Sequence, residues 1–502
     1  MAVLAALLGV AAALLALLLV LAVVSSLHYN EWRRKGIPYV TPWPLVGNCF
    51  RTITQRENLY QTLHRVCERF PKAPFVGLYA GATPVLLVKD LEAIKNITVK
   101  DFHIFTNHKL APDVGVDGTF GKFVFCLRDD EWKSTRVKLS PAFTSGKLKS
   151  MHLTVRSITS QFVQVIRDMS SKGCDVPLGT LATQFGIDVI GSCALGIEPG
   201  AMRDPQNSPY MKAVAEAFRF GSLEGLSTFL LLFSPIAYKL ARLPLLHEWR
   251  TVLMRSLLRE SAQLRDREPA KARDIFDILL GVRRSGEMPE DVFEAQVMAM
   301  QVAGSETSAK TIMFALWEMA RAPRVQDKLR QEVLQAVGQD RERQLTYEDV
   351  HDMPYLDTVF KETLRLWPVL PWLDRVCSQD YKIPGTDVTV EKDSFVLIPA
   401  YSIQRDPNVF HDPDTFLPER FAPENSAAMD KAAFLSFGFG PRACIGSRFA
   451  DMTVKTALAD VVRNFRVSLC DSSPRTHDDL VISSTSFLIT LSEELLLRFE
   501  PI

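Results

Sequence analysis

From Ala2 to Val24 the chain carries no charged or strongly polar side chain. A helix of about 23 residues, rising about 1.5 Å each, crosses the roughly 30 Å apolar core of a bilayer. Such a run constrains everything after it: whatever follows must fold as a body tethered at its N-terminus. A cleaved secretory signal starts with positive charge and has a shorter apolar stretch of about 7–15 residues, so residues 1–26 are expected to be a retained transmembrane anchor. Arg33, Arg34 and Lys35 come first after it, which places the body on the cytoplasmic side. Eight cysteines without a CxxC pair suit that reducing compartment and give no disulfide framework or structural zinc site. Asn96-Ile97-Thr98 fits a glycosylation pattern, but in this orientation it never meets the lumen.

Residues 27–49 hold the basic cluster and then Pro38, Pro42, Pro44 and Gly47. Such spacing suits neither a helix nor a central strand, so a stiff linker is predicted here and one large domain over residues 50–502. Helical periodicity recurs at Asn58 to Phe70, Ser150 to Ser170, Tyr210 to Phe220, Arg250 to Arg265, Met288 to Arg321, Arg324 to Val337 and Arg448 to Phe465. Short strands are expected at Phe75 to Tyr79, Pro84 to Val88, Val388 to Val390 and Ser394 to Pro399, with a closing hairpin of Phe487 to Leu491 and Leu496 to Phe499. The fold class is therefore mainly α with small peripheral β-sheets. Basic and acidic residues both number 58, so the chain lacks the positive footprint of a nucleic-acid binder.

The most informative window is Phe437-Gly-Phe-Gly-Pro-Arg-Ala-Cys-Ile-Gly446. Two glycines bracket the cysteine and let backbone approach a ligand, and a helix starts immediately after it, where the macrodipole favours a thiolate. A lone thiolate suits haem iron, to which it pushes electron density. Gly438-x-Gly440-x-x-Ala443 also matches a dinucleotide fingerprint, but Pro441 removes an N–H that a phosphate would need and no βαβ unit surrounds it. Ala303-Gly-Ser-Glu-Thr-Ser308 stands in the middle of the long helix, with Thr307 one turn beyond Ala303, so its hydroxyl can take that carbonyl. Glycine here is otherwise a device for helix contact. Glu362 and Arg365 share a helix face, and Trp132 and Arg136 lie one turn apart, able to address one anion.

The window around Cys444 follows the signature Phe-x-x-Gly-x-Arg-x-Cys-x-Gly of the cytochrome P-450 superfamily at Phe437, Gly440, Arg442, Cys444 and Gly446. The chain resembles this family along essentially its whole length. Leu139-Ser-Pro-Ala-Phe-Thr-Ser-Gly-Lys147 and the run from Tyr355 to Val376 look most like arthropod members of the drug-metabolising clan. The resemblance implies a haem-binding catalytic domain with haem b on Cys444, its propionates near Arg442, Trp132, Arg136 and Arg375, and Phe437 beside it. It further implies a dioxygen pocket at Ala303 and Gly304, an acid–alcohol pair of Glu306 and Thr307 for proton delivery, and a structural network of Glu362, Arg365 and Arg420 in Pro418-Glu-Arg-Phe421. Gln404 stands where many relatives have histidine.

The same resemblance implies monooxygenation of a lipophilic small molecule by O2, in xenobiotic, hormone or fatty-acid metabolism, at the endoplasmic reticulum membrane. Electrons would come from NADPH through a flavoprotein reductase, with cytochrome b5 as a second donor; Arg448, Lys455 and Lys133 are the expected docking cations. Phe105, Phe120, Phe123, Val369, Leu370, Ser486 and Phe487 match substrate-contacting regions, and Thr228 to Phe233 is a candidate second membrane contact. The competing readings are a haem-thiolate isomerase or dehydratase of an oxygenated lipid, whose members commonly lack the acid–alcohol pair, and a non-catalytic haem or lipid carrier.

Overall fold

The computed structural model describes residues 29–502 apart from 219–220, 268–273 and 341–342, together with Val23. The predicted anchor otherwise lies outside the described residues. After two single-turn helices at Glu31–Arg34 and Phe50–Ile53, the first longer helix, α1 (Leu59–Arg69), starts where Asn58 closes a capping box: its side chain accepts from Tyr60 N at 3.2 Å while Gln61 Oε1 accepts from Asn58 N at 2.8 Å. After it come α2 (Asp129–Leu139), α3 (Ser145–Ser171), α4 (Leu178–Leu195), α5 (Glu290–Arg321), α6 (Pro323–Val337), α7 (Pro354–Leu366) and α8 (Ser447–Asn464).

The strands form a small sheet of β1 (Phe75–Ala80), β2 (Thr83–Val88), β3 (Leu373–Val376) and β4 (Phe395–Ile398) in the order β1-β2-β4-β3, with β2 and β4 parallel. A second sheet pairs β5 (Phe465–Leu469) antiparallel with β6 (Leu496–Pro501), and Val176–Pro177 joins β6 on its other side. The mainly α class with peripheral sheets is what the periodicity indicated. The closing hairpin differs: β6 pairs with Phe465–Leu469, and Phe487 to Leu491 makes no strand beyond an isolated bridge between Ile482 and Leu491. Helix α8 delivers β5 directly beside the chain end, so the partner comes from the preceding helix and not from the adjacent turn.

Helix α5 is the axis of the molecule, and every residue from Ser308 to Ala320 is buried. It crosses α4 closely because of glycine on both sides. A Cβ on Gly186 would stand 2.5 Å from Ser305 O, and one on Gly304 would stand 2.3 Å from Ile190 Cδ1. Helix α4 is also long and apolar enough to cross a bilayer, but it is mostly buried in the core against α3 and α5. The proline-rich linker is docked on the first sheet: Trp32 is buried and donates from Nε1 to Leu78 O at 2.9 Å, and Asn48 Nδ2 donates to Val40 O at 3.1 Å while its Oδ1 accepts from Tyr79 N at 2.8 Å.

Candidate haem-thiolate site

The loop before α8 is held by its own backbone. Cys444 N donates to Phe437 O at 2.7 Å and Ala443 N to Gly440 O at 2.9 Å, while Gly438 and Gly440 adopt φ of 74° and 77°. Glycine is required at 440, since a Cβ there would fall 1.9 Å from Thr98 O. The Phe437 ring lies 6.2 Å from Phe360 of α7.

Cys444 keeps accessible surface although protein encloses it, so its thiol borders interior space. Burial pushes that thiol above its ordinary range, against the Gly446 N–H and the positive charge of Arg136. The helix start thus favours the thiolate as expected, but desolvation outweighs it, and an electrophilic partner such as a metal must tip the balance.

Beside the loop, four cationic or aromatic groups converge. Arg442 lies 4.0 Å over Trp132, donates from Nε to Thr106 O at 2.8 Å and from Nη2 to Leu127 O at 2.9 Å, and leaves Nη1 buried without a partner. Arg136 reaches Ala443 O from Nη2 at 2.7 Å and lies 6.0 Å from the Trp132 ring. Arg375 is fully buried; Nη1 donates to Asp374 O at 2.7 Å, and Nε has no partner. Burial and the neighbouring arginines bring Arg442 down to about 9, and burial brings Arg375 to about 10. The nearby carboxylate of Asp374 is already committed to His108 Nδ1 at 2.9 Å and to the Leu110 N–H at 3.2 Å. Two unpartnered, buried guanidinium nitrogens beside a cysteine that faces interior space fit the propionates of a haem whose iron the cysteine binds.

Helix α5 runs unbroken through Ala303 to Ser308, and Thr307 Oγ1 donates to Ala303 O at 2.6 Å. Ala303 is exposed between the buried Gln301 and Ser305, which marks a gap in the packing. Gly304 has a different reason to be glycine: it faces Ile190, so helix contact accounts for it, and the pocket assignment rests on Ala303.

Glu362, Arg365 and Arg420 are brought together as expected. Arg365 donates to Glu362 at 2.7 and 2.9 Å, and Arg420 Nε donates to Glu362 Oε1 at 3.2 Å. Gln404, fully buried, donates from Nε2 to Leu364 O and Arg365 O at 3.1 and 2.9 Å. Its Oε1 accepts from Leu435 N at 2.6 Å and Ser436 Oγ at 3.1 Å.

Several expected contacts are not made. Phe105 and Phe123 have no accessible surface and Phe120 has 2%; Phe105 packs 5.1 Å from Tyr381, and Phe120 and Phe123 pack edge-to-face against Phe125. They are core and cannot touch a substrate as they stand, whereas Leu370, Ser486 and Phe487 keep partial exposure. Lys455 is buried and paired with Asp357 and Asp451 at 2.7 Å each, which removes it from any docking surface and leaves Lys133 and Arg448 there. The His108–Asp374 pair beneath Arg375 carried no local sequence signal.

An accessible cysteine beside two buried guanidiniums, each with one nitrogen unpartnered, fits a haem-thiolate protein. The cytochrome P450 family model matches residues 37–491. The chain is 35% identical to cytochrome P450 6a2 of Drosophila melanogaster over 97% of its own length and 99% of that protein. It is 34% identical to cytochrome P450 6a8 of the same fly (97% and 98%), and 34% identical to cytochrome P450 6k1 of Blattella germanica (89% of each). The chain belongs to the cytochrome P450 family, and it is a haem monooxygenase whose electrons come from a separate reductase.

Proposed function

We propose that this chain inserts one oxygen atom into lipophilic foreign compounds at the endoplasmic reticulum membrane, held there by the apolar segment 1–26, with its body on the cytoplasmic face. Cys444 is the iron ligand, and Arg442 and Arg375, with Trp132 and Arg136, hold the propionates. The bound haem supplies dioxygen activation. NADPH-dependent flavoprotein reductase is the main electron donor and cytochrome b5 a second.

The observation that carries the reaction type is the Thr307 hydroxyl on Ala303 O, next to the gap in the packing at Ala303 and one residue from Glu306. A hydroxyl held at such a gap can pass a proton inward, and an isomerase or dehydratase has no use for that. Thr307→Ala is expected to raise the hydrogen peroxide released per NADPH consumed, because a positioned proton donor supplies about 10²–10⁴-fold in the step it serves. Unchanged coupling in the reconstituted system would remove Thr307 from this role.

The run Thr228 to Phe233 expected to meet lipid buries Leu231, Leu232 and Phe233, and a second contact is supported instead by the next helix, Pro235–Ala241, where Ile236 and Leu240 are 76% and 79% exposed one turn apart. A chain lacking residues 1–26 should still sediment with phospholipid vesicles, and Ile236→Asp with Leu240→Asp should abolish that residual binding. Soluble behaviour of the truncated chain before any substitution would refute the second contact.

A further inference from the structure

One turn beyond Glu306, α5 buries a lysine. The Lys310 side chain is 9% exposed and that of Glu306 38%, and their charged ends form an ion pair. Among the described residues, Glu306 is the only carboxylate paired with Lys310. The order suits the pair, because glutamate four residues before lysine aligns with the helix dipole. It is not an ordinary solvated pair on a helix face, since Ser308, Ala309, Thr311 and Ile312 around the lysine are buried. An apolar side chain would fill that position without needing a counter-charge. Its presence therefore calls for a use.

The polar ends of the two relay residues diverge along the helix. The Thr307 hydroxyl turns toward the N-terminus to reach Ala303 O, while the Glu306 carboxylate turns toward the C-terminus to reach Lys310. Among the described residues no side-chain hydrogen bond joins Glu306 directly to Thr307. We infer that Lys310 is a positioning residue for oxygen activation, holding the Glu306 carboxylate one turn away from Thr307 so that protons cross between them through water. A proton taken from solvent at the half-exposed carboxylate leaves it for that water and then for Thr307 Oγ1, which passes on its own; Lys310 keeps its three. The inference rests on the assignment of Glu306 and Thr307 to proton delivery.

The test uses the full-length, haem-loaded protein. Without turnover, Glu306→Gln should lower the unfolding midpoint by stranding a buried ammonium, and adding Lys310→Met should recover most of the loss. Strictly additive losses would overturn the pairing. In turnover with reductase, Lys310→Met should raise peroxide per NADPH roughly threefold or more, because a relay group that is not held in place delivers slowly. Lys310→Arg, which keeps a cation beside Glu306, should remove at least half of that rise; Lys310→Gln is read like the methionine variant if the latter does not load haem. A rise with Thr307→Ala but none with Lys310→Met overturns the role of Lys310 alone. A rise with neither overturns the oxygen-activation assignment beneath it.

Discussion

Cys444→Ser is expected to abolish the red-shifted Soret band of the reduced carbon-monoxide complex and to drop turnover below about one hundredth of wild type, at least about 2.7 kcal/mol of barrier. Serine keeps the shape of the loop, since the Phe437 O and Gly440 O contacts are made by backbone N–H groups. What is lost is the soft, electron-rich ligand that favours O–O cleavage. Arg442 and Arg375, proposed to hold the haem propionates, keep their unpartnered nitrogens whatever the atom at 444. The result that would refute the ligand assignment is a normal spectrum from the serine variant. Measured beside wild type in membranes, the comparison separates loss of ligation from loss of haem.

Glu362→Gln should be the most damaging single change to stability. The carboxylate, fully buried, is shared by Arg365, Arg420 and the Leu417 N–H at 2.9 Å. An amide leaves two guanidiniums in the interior without a counter-charge, at a cost of roughly 3–5 kcal/mol. Against a total stability of about 5–15 kcal/mol, that is enough to empty the membrane fraction of folded, haem-loaded protein. Haem content per milligram and the thermal unfolding midpoint check it. Glu362→Asp should recover part of both, and a glutamine variant with a wild-type midpoint would show the network to be dispensable.

How much of this was legible beforehand follows burial geometry. Helices with one apolar face, such as α1, α3 and α6, lie within a few residues of their periodic stretches, because a single buried face writes its period into the chain. Helix α4 was missed for the opposite reason: it is enclosed by α3 and α5, is apolar all round, and has no period to find. The cysteine loop was legible because Gly440 and Arg442 answer to backbone and charge constraints within ten residues of the ligand. Lys455 and Lys310 were not, since only Asp357 and Asp451, or the packing around α5, reveal that these lysines are buried. Phe105, Phe120 and Phe123 were placed near substrate by position along the chain, yet local sequence carries no sign of which way an aromatic ring turns. The mispaired C-terminal strand is the same difficulty at the level of the backbone.

Gln404 sits at the joint between the end of α7 and the segment that leads to Cys444. All four of its side-chain hydrogen-bonding positions are taken: both N–H groups by carbonyls of α7, and its oxygen by Leu435 N and Ser436 Oγ. An imidazole at that place would offer one donor and one acceptor, and would change its charge near neutrality. The amide does neither. Gln404 therefore brings no titrating group of its own to the joint behind the proposed iron ligand, and acidification of the surroundings finds no proton-binding site on that side chain through which to loosen it.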